Sequence, residues 1–288
     1  MELVDVAGLL RRLRVVAEPP SADALRRLHR AFVARVPYEN SEIQLGRPTS
    51  VDPAETAARI VDRGRGGYCF HLNGALSALL RGLGYRVSEH AGHVQGRAGE
   101  PPELNRSHLA LIVSGLPSTS SPDGRWLVDA GLGDGLRDPL PLRAGEHRQE
   151  VLAFGLAESP LVPGWRFTHD PRGSFHAVDV ESEPTTTGTF AARHHHLSTS
   201  PDSPFVRAFT AQRVDATGID LLRALTLTRR AAGGDRTLVL ESRGDWAAAL
   251  ADVFGLVLDV AELDVLWPKA LAQHEAHLAA RAAAPGLR

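Results

Sequence analysis

The chain contains a single cysteine, Cys69, among its 288 residues. One cysteine cannot form an intramolecular disulfide or supply a cysteine-type zinc site. The chain is long enough to form more than one subdomain around a large core, and 43% of its residues are hydrophobic. Cys69 is therefore either a functional thiol or one more small buried apolar residue.

The residues around Cys69 favour a functional thiol. Gly66 and Gly67 precede it and allow the backbone to bend sharply and approach a substrate closely. A helical pattern follows, so the unpaired N–H groups and the positive dipole end of a helix lie beside the sulfur. This environment favours the thiolate and makes Cys69 a candidate nucleophile.

Composition excludes several classes of protein. A formal net charge of −2 gives no reason to expect a nucleic acid or an anionic membrane as a partner. No apolar run approaches the roughly 18 residues that span a bilayer. The N-terminus lacks the order of a signal peptide, which with one cysteine predicts a cytoplasmic protein. Abundant Ala, Arg and Gly with almost no Lys is typical of a GC-rich bacterial genome.

The hydrophobic pattern divides the chain into three stretches of an α+β protein. Residues 1–85 predict a helical bundle that presents Cys69 at a helix start. Residues 86–200 predict an antiparallel sheet or small barrel, and residues 201–288 predict one clear strand with two helices. The predicted helices lie near 9–13, after Ser21, and at 54–63, 69–83, 245–254 and 262–282; the predicted strands lie at 109–113, 126–129, 164–167, 177–180 and 237–241.

A histidine and an aspartate are predicted to lie close together on two of these strands. His108 opens one strand and Asp129 closes the next, and the residues between them contain prolines and an Asp-Gly pair typical of a turn. If the strands form a hairpin, the two side chains lie within a residue or two of register. An aspartate at the end of an apolar strand is costly to bury without a charged partner. Alternatively, His108 is a strand-end histidine and Asp129 starts a turn.

Several segments, in the same order along the chain, resemble the signature of the arylamine N-acetyltransferases. They extend over most of the chain, and their shared order is more specific than any one motif. The segments are 36–40 (Val-Pro-Tyr-Glu-Asn), 65–70 (Arg-Gly-Gly-Tyr-Cys-Phe), Asn73-Gly74, Ser107-His108-Leu109, 128–133 (Val-Asp-Ala-Gly-Leu-Gly) and 198–205 (Ser-Thr-Ser-Pro-Asp-Ser-Pro-Phe).

This resemblance implies a catalytic set, a fold and a reaction. Cys69 is the implied nucleophile, His108 the base and Asp129 the group that orients the imidazole. The implied fold is a helical bundle (1–85), an antiparallel β-barrel (86–200) and an α/β lid (201–288). The implied reaction moves an acetyl group from acetyl-CoA, or another acyl thioester, to a small aromatic amine, arylhydrazine or N-hydroxyarylamine, with no bound cofactor and no metal. Neither the CoA-binding residues nor the oligomeric state follows from the sequence.

Two positions depart from the family pattern. His71 stands where the family often has an acidic residue or glutamine, and Leu132 stands where an aromatic residue usually follows the aspartate. Both departures leave the three implied catalytic residues untouched. They bear on the preferred acceptor, because an aromatic side chain near Asp129 would help to form a pocket for a flat amine.

Other functions use the same three residues. An amide synthase would transfer or cyclise a longer acyl chain from CoA or a carrier protein, and a cysteine hydrolase of the papain or transglutaminase type would admit water or a peptide amine. A binding module without activity is the non-enzymatic alternative, against which the intact Cys-His-Asp set argues.

The remaining motifs are weaker. His194-His195-His196 is predicted on a strand, where three consecutive side chains cannot face one metal ion. The Gly-rich segment 131–135 resembles a phosphate loop only faintly and is either a wall of the substrate cleft or an ordinary turn. For four further side chains the prediction is structural: an ion pair for Arg65, no direct catalytic role for His71, and core positions for Tyr38 and Phe205.

Overall fold

The structure is a computed structural model that describes residues 4–283. It has the predicted α+β fold, with helices first, an eight-stranded antiparallel sheet next, and a five-stranded sheet with two helices last. The domain boundaries at residues 85 and 200 stay a prediction. None of the helices formed by residues 4–283 is long and apolar enough to cross a membrane.

The N-terminal helices begin where the sequence predicts helix starts. The Ser21 side chain accepts a hydrogen bond from the N–H of Ala24 and caps the second helix, and Asp52 with Pro53 starts the fourth. The last of these helices begins at Cys69 and buries the predicted leucine face in the main core. The helices are α1 (Val6–Leu13), α2 (Ala22–Arg35), α3 (Ser41–Gln44), α4 (Pro53–Arg63) and α5 (Cys69–Gly82).

The eight-stranded sheet curls into a nearly closed barrel. Its spatial order is β5-β4-β3-β2-β9-β8-β7-β6, and the two edge strands follow one another in the chain. Its longest strand, β2, has no alternating pattern, since one buried residue follows another along most of it. The strands are β2 (Arg86–Gln95), β3 (His108–Ser114), β4 (Trp126–Val128), β5 (Leu140–Pro141), β6 (Gly145–Gln149), β7 (Leu152–Glu158), β8 (Gly164–Thr168) and β9 (Ala177–Thr185).

The predicted hairpin between β3 and β4 is confirmed. The two strands are antiparallel and residues 115–125 connect them. Leu111 lies opposite Val128, which places Ala110 opposite position 129. His108 is two residues from Ala110, so its side chain lies on the same face of β3 and diagonal to Asp129.

The C-terminal stretch contains more strands than the sequence predicts. The strand predicted at 237–241 is present, at 234–239, but three further strands were not predicted. Four strands form a sheet here, and β1 (Tyr38–Glu39) from the N-terminal part completes it. The strands are β10 (Thr210–Val214), β11 (Gly218–Arg223), β12 (Thr226–Ala231) and β13 (Gly234–Val239). Apolar alternation is missing because β12 is only half-buried and β13 is exposed along its whole length.

Helices cover one face of this sheet and tie it to the N-terminal part. The two long helices, α8 (Arg243–Phe254) and α9 (Val260–Ala283), form a second apolar core with the sheet. The carboxylate of Glu262 on α9 accepts hydrogen bonds at 2.5 Å from both Arg65 and Arg47. The predicted structural ion pair of Arg65 is thereby confirmed.

We expect the protein to lose much of its stability when the buried pair of Glu262 and Arg65 is broken. Glu262→Ala leaves the buried guanidinium of Arg65 without its partner, which typically costs about 3–5 kcal/mol. The free energy of unfolding, measured in urea, should fall by that amount. Asp264→Ala is the matched control on the same helix, because Asp264 pairs with Arg243 at the surface and should contribute less than about 1 kcal/mol. Equal losses in the two variants would contradict a special role for the buried pair.

Candidate active site

Cys69 is the first residue of α5 and only 4% of its surface is exposed. Its Sγ lies 3.5 Å from the carbonyl oxygen of Ser107, which precedes β3. The backbone turns into the helix through Gly67, whose φ of +117° other residues adopt only with strain. A side chain at Gly67 would also collide with the ring of His71. The predicted glycine-dependent bend before the thiol is confirmed.

His108 and Asp129 form a buried hydrogen bond. The Nε2 atom of His108 lies 2.6 Å from Oδ2 of Asp129, and each side chain is 3% exposed. Because Nε2 binds the carboxylate, Nδ1 is the ring nitrogen left to act toward Cys69. Gly92 lies opposite His108 on β2, where a Cβ would come within 3.0 Å of the histidine side chain. The hairpin thus brings His108 and Asp129 together, and the start of α5 places Cys69 beside them.

The surroundings of His108 favour its charged form. Burial alone would lower the pKa of His108, but the charge and hydrogen bond of Asp129, together with Cys69, raise that pKa to about 10. The ring therefore carries a proton at neutral pH. A protonated imidazole beside the sulfur stabilises the thiolate, which is the nucleophilic form of cysteine.

Asn73 connects the helix of Cys69 to the aspartate, a role that the sequence prediction missed. Its Nδ2 donates to Oδ1 of Asp129 at 2.7 Å and to the carbonyl oxygen of Leu109 at 2.6 Å, while its Oδ1 accepts from the N–H of Ala130 at 2.8 Å. Asn73 follows Cys69 by four residues, which places both on one face of the helix. That spacing is the signal that could have found it.

Gly131 allows the aspartate loop to reach the helix. A Cβ at this position would lie 2.6 Å from the Cα of Cys69, so no residue larger than glycine fits without moving the nucleophile. The next loop residues continue outward to Gly133, against which Gln212 of β10 packs. No helix follows this segment within the described residues, since β5 is the next element. The segment is therefore a tightly packed wall beside Cys69.

Aromatic side chains surround the thiol. Tyr38 and Phe205 pack on the apolar cluster that contains Tyr68 and Cys69, and the rings of Tyr68 and Phe205 lie 4.6 Å apart. Burial raises the pKa of Tyr38 well above its ordinary value, and the charge of Cys69 raises it further. The Tyr38 hydroxyl therefore keeps its proton and remains a hydrogen-bond donor. The two side chains are half-buried at the edge of this cluster, so the prediction of core positions holds only in part, and both lie beside the nucleophile.

The histidine run lies on a helix, so the prediction of a strand is wrong. Helix α6 (Ala191–Thr199) buries His194 and Leu197 at helical spacing and leaves His195 and His196 exposed. The ring of His194 bonds to the Tyr68 hydroxyl at 2.7 Å. Among residues 4–283, no group of three or more His, Cys, Asp or Glu side chains is arranged to hold a metal ion.

His71 stabilises the start of α5 through a hydrogen bond with the backbone before the helix. Its Nδ1 accepts a hydrogen bond from the N–H of Tyr68 at 3.4 Å, and its Nε2 lies 3.3 Å from the hydroxyl of Thr49. Burial lowers the pKa of His71 well below its ordinary value, and the charge of Arg59 lowers it further. A neutral ring at this position can accept the backbone hydrogen bond that an N-cap residue supplies.

Comparison with known proteins places this arrangement in a class of enzymes. A family model described as N-acetyltransferase matches residues 21–263, so the chain is an acyltransferase-like enzyme. An arylamine N-acetyltransferase from Mycolicibacterium smegmatis is 30% identical over 280 residues, which cover 91% of this chain and 96% of that protein. The chain belongs to the arylamine N-acetyltransferase family.

Two further relatives are informative. The structure of Mycobacterium marinum arylamine N-acetyltransferase in complex with CoA superposes with a TM-score of 0.81 at 27% identity, covering 92% of this chain and 98% of that one. An N-malonyltransferase from Fusarium pseudograminearum is 27% identical over 269 residues, which cover 81% of this chain and 78% of that protein. The chain is therefore similar in sequence to proteins whose names specify different acyl groups.

We predict that the proton on His108 depends on Asp129. NMR of the ring protons should show that the imidazole of His108 titrates near pH 10 in the parent protein. Asp129→Asn removes the charge and should move the titration to a much lower pH. Asp123→Asn, an exposed aspartate in the 115–125 connection, is the control and should leave it unchanged.

The same shift predicts how His108 affects stability. Its pKa is raised in the folded state above the ordinary 6.5, so its stabilising contribution is complete below pH 6.5 and is lost as the pH rises through about 10. Asp129→Asn should remove this part of the pH dependence of unfolding. A parent imidazole that titrates near 6.5 would contradict both expectations.

A third variant tests the link through Asn73. Asn73→Ala should slow alkylation of Cys69 by iodoacetamide about tenfold to a hundredfold, because Asp129 loses a buried partner at a cost of about 1–3 kcal/mol. Mass spectrometry reports the reaction without ambiguity, since the chain has one cysteine. Ser77→Ala is the matched control, one turn further along α5, where the hydroxyl bonds to Glu89 instead. An equal effect of both substitutions would indicate general loosening of the helix.

Proposed function

We propose that this protein is an N-acyltransferase that carries an acetyl group on Cys69 between acetyl-CoA and an arylamine, arylhydrazine or N-hydroxyarylamine. The observation that carries the proposal is the buried His108–Asp129 bond beside a cysteine at the start of a helix. Family membership supports the acyl group and the amine as substrates. The CoA complex of the M. marinum relative supports CoA as the carrier.

In the first step, the Cys69 thiolate attacks the carbonyl carbon of the thioester. A tetrahedral intermediate forms, and its oxyanion can accept hydrogen bonds from the N–H of Cys69 and its neighbours, because N–H groups in the first turn of a helix lack acceptors within the helix. The intermediate expels CoA as a thiolate, which takes the proton from His108. Cys69 is left as a thioester.

In the second step, the amine nitrogen attacks the acyl-enzyme. Acylation has removed the charge of Cys69, which is one of the effects that raise the pKa of His108. The neutral imidazole can then accept a proton from the attacking nitrogen while Asp129 stabilises the resulting charge. The amide leaves, and the thiolate and imidazolium are restored together.

The surroundings of Cys69 suit a flat, neutral acceptor. Leu132 stands where the family usually has an aromatic residue, but Tyr38 and Phe205, both only half-buried, supply rings in the cluster around Cys69. Aromatic amines and hydrazines are weakly basic, so at neutral pH they stay uncharged and enter an apolar site at little desolvation cost. Stacking against these rings supports acceptors of this class.

Intact-protein mass spectrometry tests the proposal. Acetyl-CoA alone should add one acetyl group to the parent protein and none to Cys69→Ala. An arylhydrazine should then remove the adduct faster than water does. Absence of an adduct would sink the proposal, and clearance by water at the same rate as by the hydrazine would favour a cysteine hydrolase.

A second candidate is transfer of a different or longer acyl group, as in an amide synthase. The observation that favours it is the similarity of this chain to an N-malonyltransferase, a protein whose name specifies a malonyl group and not an acetyl group. Malonyl-CoA and longer acyl thioesters should be compared with acetyl-CoA in the same labelling experiment. Faster labelling of Cys69 by malonyl-CoA or a longer acyl thioester than by acetyl-CoA would favour this second candidate.

A further inference from the structure

The connection between β2 and β3, residues 96–107, ends beside the nucleophile. The carbonyl oxygen of its last residue, Ser107, lies 3.5 Å from Sγ of Cys69, and His108 is the next residue in the chain. The path of this backbone therefore sets both a polar group at the sulfur and the start of the strand that carries the base.

This polar group distinguishes the connection from an apolar neighbour of the sulfur. Phe205 of α7 (Pro204–Arg207) meets the cluster around Cys69 through an apolar ring, which cannot orient a reactant by hydrogen bonding. The Ser107 carbonyl oxygen can, because in the second step of the proposed reaction it can accept a hydrogen bond from the N–H of the attacking amine. A shift of this backbone would thus affect the amine as well as His108.

Arg106, the residue before Ser107, adopts a strained backbone conformation. Its φ is +42°, in the left-handed region that a residue with a Cβ adopts at a cost of roughly 1–3 kcal/mol. Such a conformation persists only where the surrounding contacts hold it. If Arg106 relaxed, the peptide that follows would turn and the Ser107 carbonyl would leave the sulfur.

A buried histidine on β2 holds Arg106 in place. Nδ1 of His93 accepts a hydrogen bond from the N–H of Arg106 at 3.1 Å, and only 1% of the histidine side chain is exposed. Because Nδ1 accepts, the ring proton lies on Nε2, which donates to Glu181 of β9 at 3.0 Å. Glu181 also accepts two hydrogen bonds from the Arg106 guanidinium, both at 3.2 Å. His93 and Glu181 together therefore fix the backbone and the side chain of Arg106.

Asn105 fixes the residues on either side but leaves Arg106 to His93. Its carboxamide pairs with Val94 of β2 as a neighbouring strand would, since Nδ2 donates to the Val94 carbonyl oxygen at 2.8 Å and Oδ1 accepts from the Val94 N–H at 3.2 Å. Oδ1 also accepts from the N–H and the hydroxyl of Ser107, at 3.1 and 2.7 Å. The N–H of Arg106, between these two anchored residues, bonds to the imidazole instead.

We propose that His93 is a positioning residue for acyl transfer. It holds Arg106 in the left-handed conformation, and the Ser107 carbonyl and the His108 ring thereby keep their places at the sulfur. The inference rests on the proposed function and adds to it a residue that acts only through its neighbours. Its effect on rate should be large, because a displacement of about 1 Å at reacting groups can slow a reaction about a hundredfold.

Variants at position 93 test whether the Nδ1 acceptor matters. His93→Ala removes the acceptor and should slow acetylation of Cys69 at saturating acetyl-CoA about tenfold to a hundredfold, with KM for acetyl-CoA little changed. His93→Asn can place its carboxamide oxygen where Nδ1 lies and should restore most of the rate. His93→Gln can reach Glu181 but lacks an acceptor near Arg106, so it should be slow although its bond to the carboxylate remains. Quenched-flow mass spectrometry of the intact protein measures all four rates.

His90→Ala is the matched control for loss of stability. His90 is also a buried histidine of β2 with two hydrogen bonds, but its partners are the Ser88 hydroxyl and the backbone carbonyl of Glu181, away from the connection. Urea unfolding should show losses of similar size in His90→Ala and His93→Ala. Only the variant at position 93 should lose its rate of acetylation.

Arg106→Gly tests the backbone strain separately. Glycine adopts a positive φ without the steric cost of a Cβ. His93→Ala should therefore slow acetylation less in the Arg106→Gly background than in the parent background. Losses that simply add in the double variant would overturn the assignment.

Other outcomes would also overturn it. They are an unchanged rate in His93→Ala and His93→Gln, a His93→Asn protein as slow as His93→Gln, and an equal loss of rate in His90→Ala. Alkylation of Cys69 by iodoacetamide ranks the same variants without any thioester. If acetyl-CoA fails to label the parent protein, the proposed function is refuted, while the ranking by alkylation still decides whether His93 positions the site.

Discussion

The close packing of the aspartate loop against the first turn of α5 determines the geometry of the whole site. The nucleophile comes from a helix and the other two groups come from a β-hairpin, so a fixed contact between those elements has to set their distance. Asn73 fixes this contact through its hydrogen bonds with Asp129 and the backbone of Ala130. Gly131 also fixes it, because the absence of a Cβ lets the loop pack directly against the helix. These bonds are almost fully removed from water, which keeps them strong and makes any loss costly.

The electrostatics of the site follow from that packing. Burial would ordinarily neutralise an imidazole, yet His108 retains its proton because a carboxylate is held 2.6 Å away. His71, only two residues beyond the nucleophile, shows the opposite outcome, since its buried ring lies near Arg59 and His194 and bonds to Thr49 and the backbone of Tyr68. Two histidines in one small region thus have opposite charge states, and each state suits what the ring contacts.

The three central residues could be predicted because their signals are local. A lone cysteine after two glycines marks a helix start, and the turn residues between two apolar strands bring His108 and Asp129 together. The role of Asn73 was harder to predict, since it depends on a contact between helix and loop that no single segment encodes. The C-terminal sheet was largely missed because β12 and β13 carry arginine and threonine on surfaces that are not deeply buried. Three like residues in a row hide the helical period of His194 and Leu197, so the sequence alone does not indicate the helix there.

The short strand β1 has a consequence for how the protein is made. Its two residues pair with β10, so this pairing cannot form until Gln212, more than 170 positions after Tyr38, has been synthesised. Tyr38 also forms a parallel bridge with Gly67 in the bend before Cys69. Pairings between distant segments slow folding, because the chain must close a long loop before the contact contributes. During synthesis, the helix carrying the nucleophile therefore emerges before residues 205–212, which supply part of its native surroundings.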